Sequence, residues 1–87
     1  MDKYDIAIKY LESALVKDVP TSVGVFTFVD VKIPRKGNVV LVIQPSNDEV
    51  WSVVAHGERA TTTGNGRATG RNALEAAADY LAAWIVP

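Results

Sequence analysis

The segment 64–71 holds the residues of this chain that are best suited to binding chemistry. Its sequence, Gly-Asn-Gly-Arg-Ala-Thr-Gly-Arg, places three glycines and two arginines just before the helix-like run 72–86. Backbone N–H groups at the start of a helix can hold a phosphate or a carboxylate, and the macrodipole makes that end positive. Arginines at this end run against the usual preference for acidic side chains. The segment therefore predicts an anion nearby, supplied either by a partner or by the protein's own carboxylates.

The charges of the chain separate into segments of opposite sign, which widens the set of candidate contacts. Residues 30–38 carry a net charge of +2, residues 48–58 carry −3 and residues 59–71 carry +3. A meander of four strands would place the start of the second helix beside Asp48 and Glu49, so that the arginines neutralise these acids. Three strands would instead leave the arginines free in a basic rim. The candidate anion or nucleic-acid contacts are Arg35, Lys36, Arg59, Arg67 and Arg71.

The motifs of common enzymes and cofactor sites are missing from the sequence. The glycine spacing of 64–70 is one residue too long for a dinucleotide fingerprint, and no strand follows the helix to complete that unit. Cysteine is absent and His56 is the one histidine, so thiolate metal sites, disulfides and a Ser-His-Asp triad are not expected. We therefore predict a protein that is not an enzyme and that uses no cofactor or metal.

Residues 51–81 resemble the C-terminal half of a double-stranded-RNA-binding domain. That family ends with two strands, a Gly-x-Gly segment and an alanine-rich helix that opens with lysines, and the resemblance implies a duplex-RNA-binding alternative. The sequence departs from the family where Gly70 and Leu74 stand in place of phosphate-binding lysines. The matching residues are Gly64-Asn65-Gly66, Thr69, Arg71, Ala73 and Ala77-Ala78.

Hydrophobic periodicity predicts two helices with strands between them. Residues 3–17 show an apolar helical stripe of Tyr4, Ile8, Leu11 and Leu15, and the second helix covers 71–86 with a small alanine face toward a sheet. The run 39–43 is continuously apolar and predicts a central strand buried on both faces. The other predicted strands are 23–33, 50–56 and 59–63. The fold class is therefore α+β, with an N-terminal helix, an antiparallel meander of three to four strands and a C-terminal helix packed on the sheet.

Several aromatic residues fall outside the simplest helix-on-sheet core. Phe26 and Phe28 share the second face of the first long strand, where they are covered by helix or form a partner surface. Trp84 lies close to the end of the chain, and two alternatives are open for it. It docks on the core, which is the favoured alternative, or it contributes to a dimer interface. The candidate partner surface consists of Tyr10, Phe26, Phe28 and Trp84.

Length and composition indicate one small domain over residues 1–87. Hydrophobic residues make up 48% of the chain, which is ample for a core. The net charge is −1, whereas a dedicated nucleic-acid binder is usually more basic. No signal peptide or membrane span is recognisable, so a cytoplasmic location is expected. We predict a non-catalytic protein–protein interaction module with a protein partner or a homodimeric state, of the kind that phage and mobile elements use to inhibit host machinery. The alternative is nucleic-acid or anion binding through the arginines at the second helix.

Overall fold

The computed structural model describes residues 2–57 and 62–86, and in it five antiparallel strands form one sheet in sequence order. This confirms the α+β class, with a helix at each end of the meander. In the described part of the chain, no helix is both long and apolar enough to cross a membrane. The elements are α1 (Lys3–Leu11), β1 (Leu15–Thr21), β2 (Gly24–Ile33), β3 (Gly37–Asn47), β4 (Val50–His56), β5 (Thr62–Thr69), α2 (Ala73–Tyr80) and a π-helical turn (Leu81–Ile85).

The first helix is shorter than predicted, and this accounts for the extra strand. Helix α1 ends at Leu11, and Leu15–Thr21 pairs with β2 as an edge strand. Val16 and Val19 favour extended backbone, and Pro20 is tolerated because an edge strand leaves one side unpaired. Leu15 therefore never joins the predicted helical stripe.

The loss of Leu15 from the helix also changes which face of α1 is buried. Tyr4 and Ile8, predicted to face the core, are each 38% exposed. Ala7 is fully buried instead, and Tyr10 packs against the core. The predicted stripe was therefore wrong for Tyr4, Ile8 and Leu15, whereas Leu11 packs against the core as predicted.

The glycine-rich segment 64–71, which lies outside the predicted strands, is largely strand β5. Gly64 and Gly66 lie beneath the ring of Tyr80, since a Cβ added at these positions would lie 3.4 Å from Tyr80 Oη and 3.6 Å from Tyr80 Cε2. The ring of Tyr80 from α2 thus packs over this part of β5. The predicted strand 59–63 falls mostly on residues 58–61, which lie outside the described residues.

The core lies between one face of the sheet and the two helices. Val29, Leu41 and Ala55 are neighbours across β2, β3 and β4, and all three are fully buried. The residues 76–78 of α2 are alanines with no exposed surface, which confirms that a small helix face allows close approach to the sheet.

Side-chain caps define where each helix begins. Asp2 accepts a hydrogen bond from the N–H of Asp5 at 2.9 Å, and Asn72 accepts one from the N–H of Glu75 at 3.0 Å. The start of α2 thus follows the predicted Asn72 cap. At its other end the docking expected for Trp84 is wrong, because the π-helical turn leaves this side chain 69% exposed.

Candidate functional site

One face of the sheet carries no helix over the described residues, and it presents a row of apolar side chains. Helices α1 and α2 pack on the side of Val29 and Leu41, and strand alternation sends Phe28 and Val42 to the other side. Phe28 pairs with Val42, and Val42 pairs with Val54, so the row crosses β2, β3 and β4. We call this surface the open face.

The apolar row is only partly shielded by its neighbours. Phe28 is 38% exposed, and Val42 and Val54 are half-buried. Phe26 and Val40 lie on the same face and are also half-buried. The helices therefore do not cover the two phenylalanines, and the prediction that 39–43 is buried on both faces was wrong for its even-numbered positions.

The open face carries more positive than negative side chains among the described residues of its strands. Lys17 stands opposite Phe28 at one end of the row, and Lys32 lies farther along β2. Arg67 stands on β5 opposite Ser52. Among the strand residues that the structure describes, Asp30 is the one carboxylate on this face, and its Oδ1 accepts a hydrogen bond from Asn38 Nδ2 at 3.1 Å. The surface is thus an apolar strip with a cationic rim.

A small polar depression adjoins the apolar row on β4 and β5. It has a volume of about 250 Å³, and Ser52, Asn65 and Arg67 supply its polar side chains beside Val54. The Arg67 guanidinium donates a hydrogen bond to the hydroxyl of Ser46, and no ion pair of Arg67 occurs with the residues that the structure describes. The depression therefore presents hydrogen-bond donors and one cation to solvent.

The other predicted cations are not gathered at this site. Arg71 donates to Glu75 Oε2 at 2.8 Å across one turn at the start of α2. The hydrogen bond between them lowers the pKa of the Glu75 carboxyl and raises that of the Arg71 guanidinium.

The arginines do not form salt bridges with Asp48 and Glu49 as expected, because Arg67 bonds to Ser46 and Arg71 to Glu75. The start of α2 does lie at the same end of the sheet as Asp48 and Glu49, since the Gly70 N–H donates to the Glu49 carbonyl at 2.9 Å. Arg71 nevertheless forms its salt bridge with Glu75, and Glu49 contributes only a weaker attraction that raises the pKa of Arg71 further.

The remaining predicted contacts lie elsewhere. Arg35 and Lys36 form the turn between β2 and β3, at the opposite end of the sheet from α2. Arg59 lies outside the described residues. Of the predicted cations that the structure describes in β5 and the start of α2, only Arg67 reaches the open face.

The candidate partner surface is divided between the two sides of the molecule. Phe26 and Phe28 lie on the open face, whereas Tyr10 packs against the core on the helix side. Trp84 is exposed in the π-helical turn that contacts α1. The structure thus keeps the phenylalanines as one surface and separates Tyr10 and Trp84 from it.

A second concavity lies on the helix side, where the helices leave one corner of the sheet uncovered. This groove has a volume of about 430 Å³ and is mainly apolar, with Val25, Trp51 and Leu74 among its lining residues. Its carboxylate, Asp18, accepts a hydrogen bond from the Thr27 hydroxyl at 2.8 Å. The groove offers one internally bonded polar pair and no second charge.

The candidate residues predicted from the sequence did not include Val42, Val54, Ser52 and Asn65, which lie on the open face. Their exposure depends on which face the helices cover, and a continuous apolar run such as 39–43 does not reveal that. The charge at Arg67 was visible, but its place on a strand was not, because the glycines around it are typical of loops.

The described residues contain no cluster of three or more His, Cys, Asp or Glu side chains that could hold a metal ion. Comparison of the chain with protein-family profiles, with curated proteins and with solved structures found no significant match. The arguments about function therefore rest on the chemistry of the surfaces described above.

Proposed function

We propose that this protein is a small non-catalytic protein-binding module whose partner docks on the open face. The observation that carries the proposal is the row Phe28–Val42–Val54, which remains partly exposed across three neighbouring strands. Exposed apolar surface with a polar rim is typical of protein interaction sites. Such a module acts by occupying a surface of its partner, which is how a small inhibitor of host machinery would work.

The composition of the open face favours protein over nucleic acid. Single-stranded nucleic acid is held by aromatic platforms on which successive bases stack. Here the two rings, Phe26 and Phe28, lie on one strand, and the neighbouring strands present valines, which pack against aliphatic side chains but offer no ring for stacking. Nucleic-acid binding is therefore the less favoured alternative, and the experiment below distinguishes it from protein binding.

The charges favour a different protein over a second copy. Face-to-face pairing of two copies would bring the cations Lys17, Lys32 and Arg67 of each against the same set on the other. Like charges at an interface cost affinity. The partner that complements this face has an apolar surface bordered by carboxylates.

The experiment compares three baits in extracts of the cell that makes the protein. Phe28→Asp places a charge in the apolar row, and Val23→Asp makes the same change at a 71% exposed residue outside the strands. A protein captured by wild type and Val23→Asp but lost with Phe28→Asp is then purified and its binding is measured directly. Protection of β2 to β4 from hydrogen exchange in that complex is the expected result.

Two outcomes would overturn the proposal. The first is a purified partner that binds Phe28→Asp as tightly as it binds wild type. The second is tight, Phe28-dependent binding of a single-stranded oligonucleotide. Amide spectra of each variant show whether it is folded, so that loss of binding is not confused with loss of structure.

A further inference from the structure

We propose that the depression formed by Ser52, Asn65 and Arg67 binds a side-chain carboxylate of the protein partner. This inference rests on the proposed function, because it names the chemistry by which a partner on the open face is recognised. The partner segment would place an aspartate or glutamate in the depression and an apolar side chain on the row beside it.

Strand register brings the three polar side chains to one place. Ser52 is paired with Arg67 on the adjacent strand, and Asn65 is two residues before Arg67 on the same side of β5. Side chains two apart on a strand share a face, so the hydroxyl, the amide and the guanidinium surround one opening. Val54, paired with Asn65, joins this opening to the apolar row.

The donors available in the depression match a carboxylate. A guanidinium carries five N–H groups, and the bond from Arg67 to Ser46 uses one side of that fork. The remaining N–H groups, the Ser52 hydroxyl and the Asn65 amide can donate to both carboxylate oxygens. Hydrogen bonds with charged groups on both sides are the stronger kind, and the planar fork suits a carboxylate.

The geometry also sets a spacing within the partner. Neighbouring strands lie about 4.8 Å apart, so the distance from β5 to Val42 on β3 is about 10 Å and to Phe28 on β2 about 14 Å. An extended partner segment rises about 3.3 Å per residue. Side chains an even number of positions apart share a face of an extended segment, so its acidic residue lies four positions from the apolar residue that contacts Phe28.

The test selects peptides from a random display library on the immobilised wild-type protein. One selected peptide is then synthesised together with a counterpart in which each Asp or Glu is replaced by Asn or Gln. Both are titrated against wild type, Arg67→Gln and Lys36→Gln. The last variant removes the same charge from the turn at the opposite end of the sheet.

We expect selected peptides to carry an acidic residue four positions from a large apolar one. Replacing the acid by its amide should weaken binding to wild type about tenfold, and Arg67→Gln should cause a similar loss. The two changes together should cost little more than either alone, since both remove one contact. Lys36→Gln should bind like wild type.

The failure of this inference is distinguishable from failure of the proposed function. Peptides that need Phe28 but show no acid preference and no loss with Arg67→Gln would overturn the carboxylate site and leave the protein-binding face intact. A polythymidine strand that binds through both Phe28 and Arg67, with no peptide selected, would overturn both proposals. Arg67→Lys, which keeps the charge but not the fork, should restore part of the affinity.

Discussion

The indole N–H of Trp51 donates a hydrogen bond to the carbonyl oxygen of Gly70 at 2.8 Å. The N–H of Gly70 in turn donates to the Glu49 carbonyl at 2.9 Å. The backbone N–H and carbonyl of Gly70 are thus both hydrogen-bonded to residues at the beginning of β4. These bonds fix the point at which the chain leaves β5 and enters α2.

Replacement of Trp51 by phenylalanine should lower the free energy of unfolding by at least about 1 kcal/mol, because the N–H donor is lost and a smaller ring replaces the indole. Trp84→Phe is the matched control. Its side chain is 69% exposed, so its effect should stay within about 0.5 kcal/mol. Urea denaturation of both variants measures the difference. Equal stabilities of the two variants would contradict the importance of the bond to Gly70.

Gly70→Ala should destabilise the protein by about 1–3 kcal/mol through overpacking. A Cβ at this position would lie 2.6 Å from the backbone nitrogen of Ala76 and 2.8 Å from Glu75 Cβ, so the start of α2 must shift. Gly66→Ala is the control, because its Cβ would meet Tyr80 Cε2 at an ordinary 3.6 Å. Thermal unfolding should separate the two clearly. A Gly70→Ala variant as stable as Gly66→Ala would show that this junction is looser than described.

The predictable part of the fold came from patterns that local chemistry enforces. The Asn72 cap, the alanine face of α2 and the strand 50–56 follow from hydrogen-bonding capacity, side-chain size and alternation within a few residues. The end of α1 did not, because Leu15 continues a helical spacing by chance. Only its pairing with Asp30 across β1 and β2 shows that it belongs to a strand.

The candidate site was less predictable than the fold. Phe28 was recognised as an apolar residue on the second face of its strand, but Val42 was taken as buried because its whole run is apolar. Which of the two is covered depends on the position of the helices, a tertiary property. Likewise Gly64 and Gly66 appear typical of a loop, and only their pairing with Ala55 and Val53 shows that they belong to a strand.

The protein should lose stability at alkaline pH through Tyr80. Burial raises the pKa of its phenol above the usual value, so the unfolded chain gives up this proton at a lower pH than the folded protein does. The free energy of unfolding is therefore unaffected by Tyr80 below about pH 10. It falls as the pH rises above the pKa that Tyr80 has in the unfolded chain.

Denaturant unfolding of wild type and Tyr80→Phe across this range measures the effect, and the variant should show a shallower alkaline decline. Nuclear magnetic resonance of the Tyr80 ring should give a midpoint that returns to the ordinary range when the chain is unfolded. An equally steep decline in Tyr80→Phe would assign the loss to other groups.

The salt bridge between Arg71 and Glu75 should be visible in the titration of the carboxyl group. The side-chain hydrogen bond from Arg71 lowers the pKa of Glu75, so the pair contributes its stability above the unfolded pKa of the acid and loses it as the pH falls through the folded value. In Arg71→Gln the Glu75 titration midpoint should move up toward its usual value, whereas Lys36→Gln should leave it unchanged. Added salt should reduce the difference in Glu75 midpoint between wild type and Arg71→Gln, because both side chains are accessible to solvent. A Glu75 midpoint unaffected by Arg71→Gln would mean that the two side chains form no salt bridge in solution. The Arg71 guanidinium would then be as available to an anionic partner as that of Arg67.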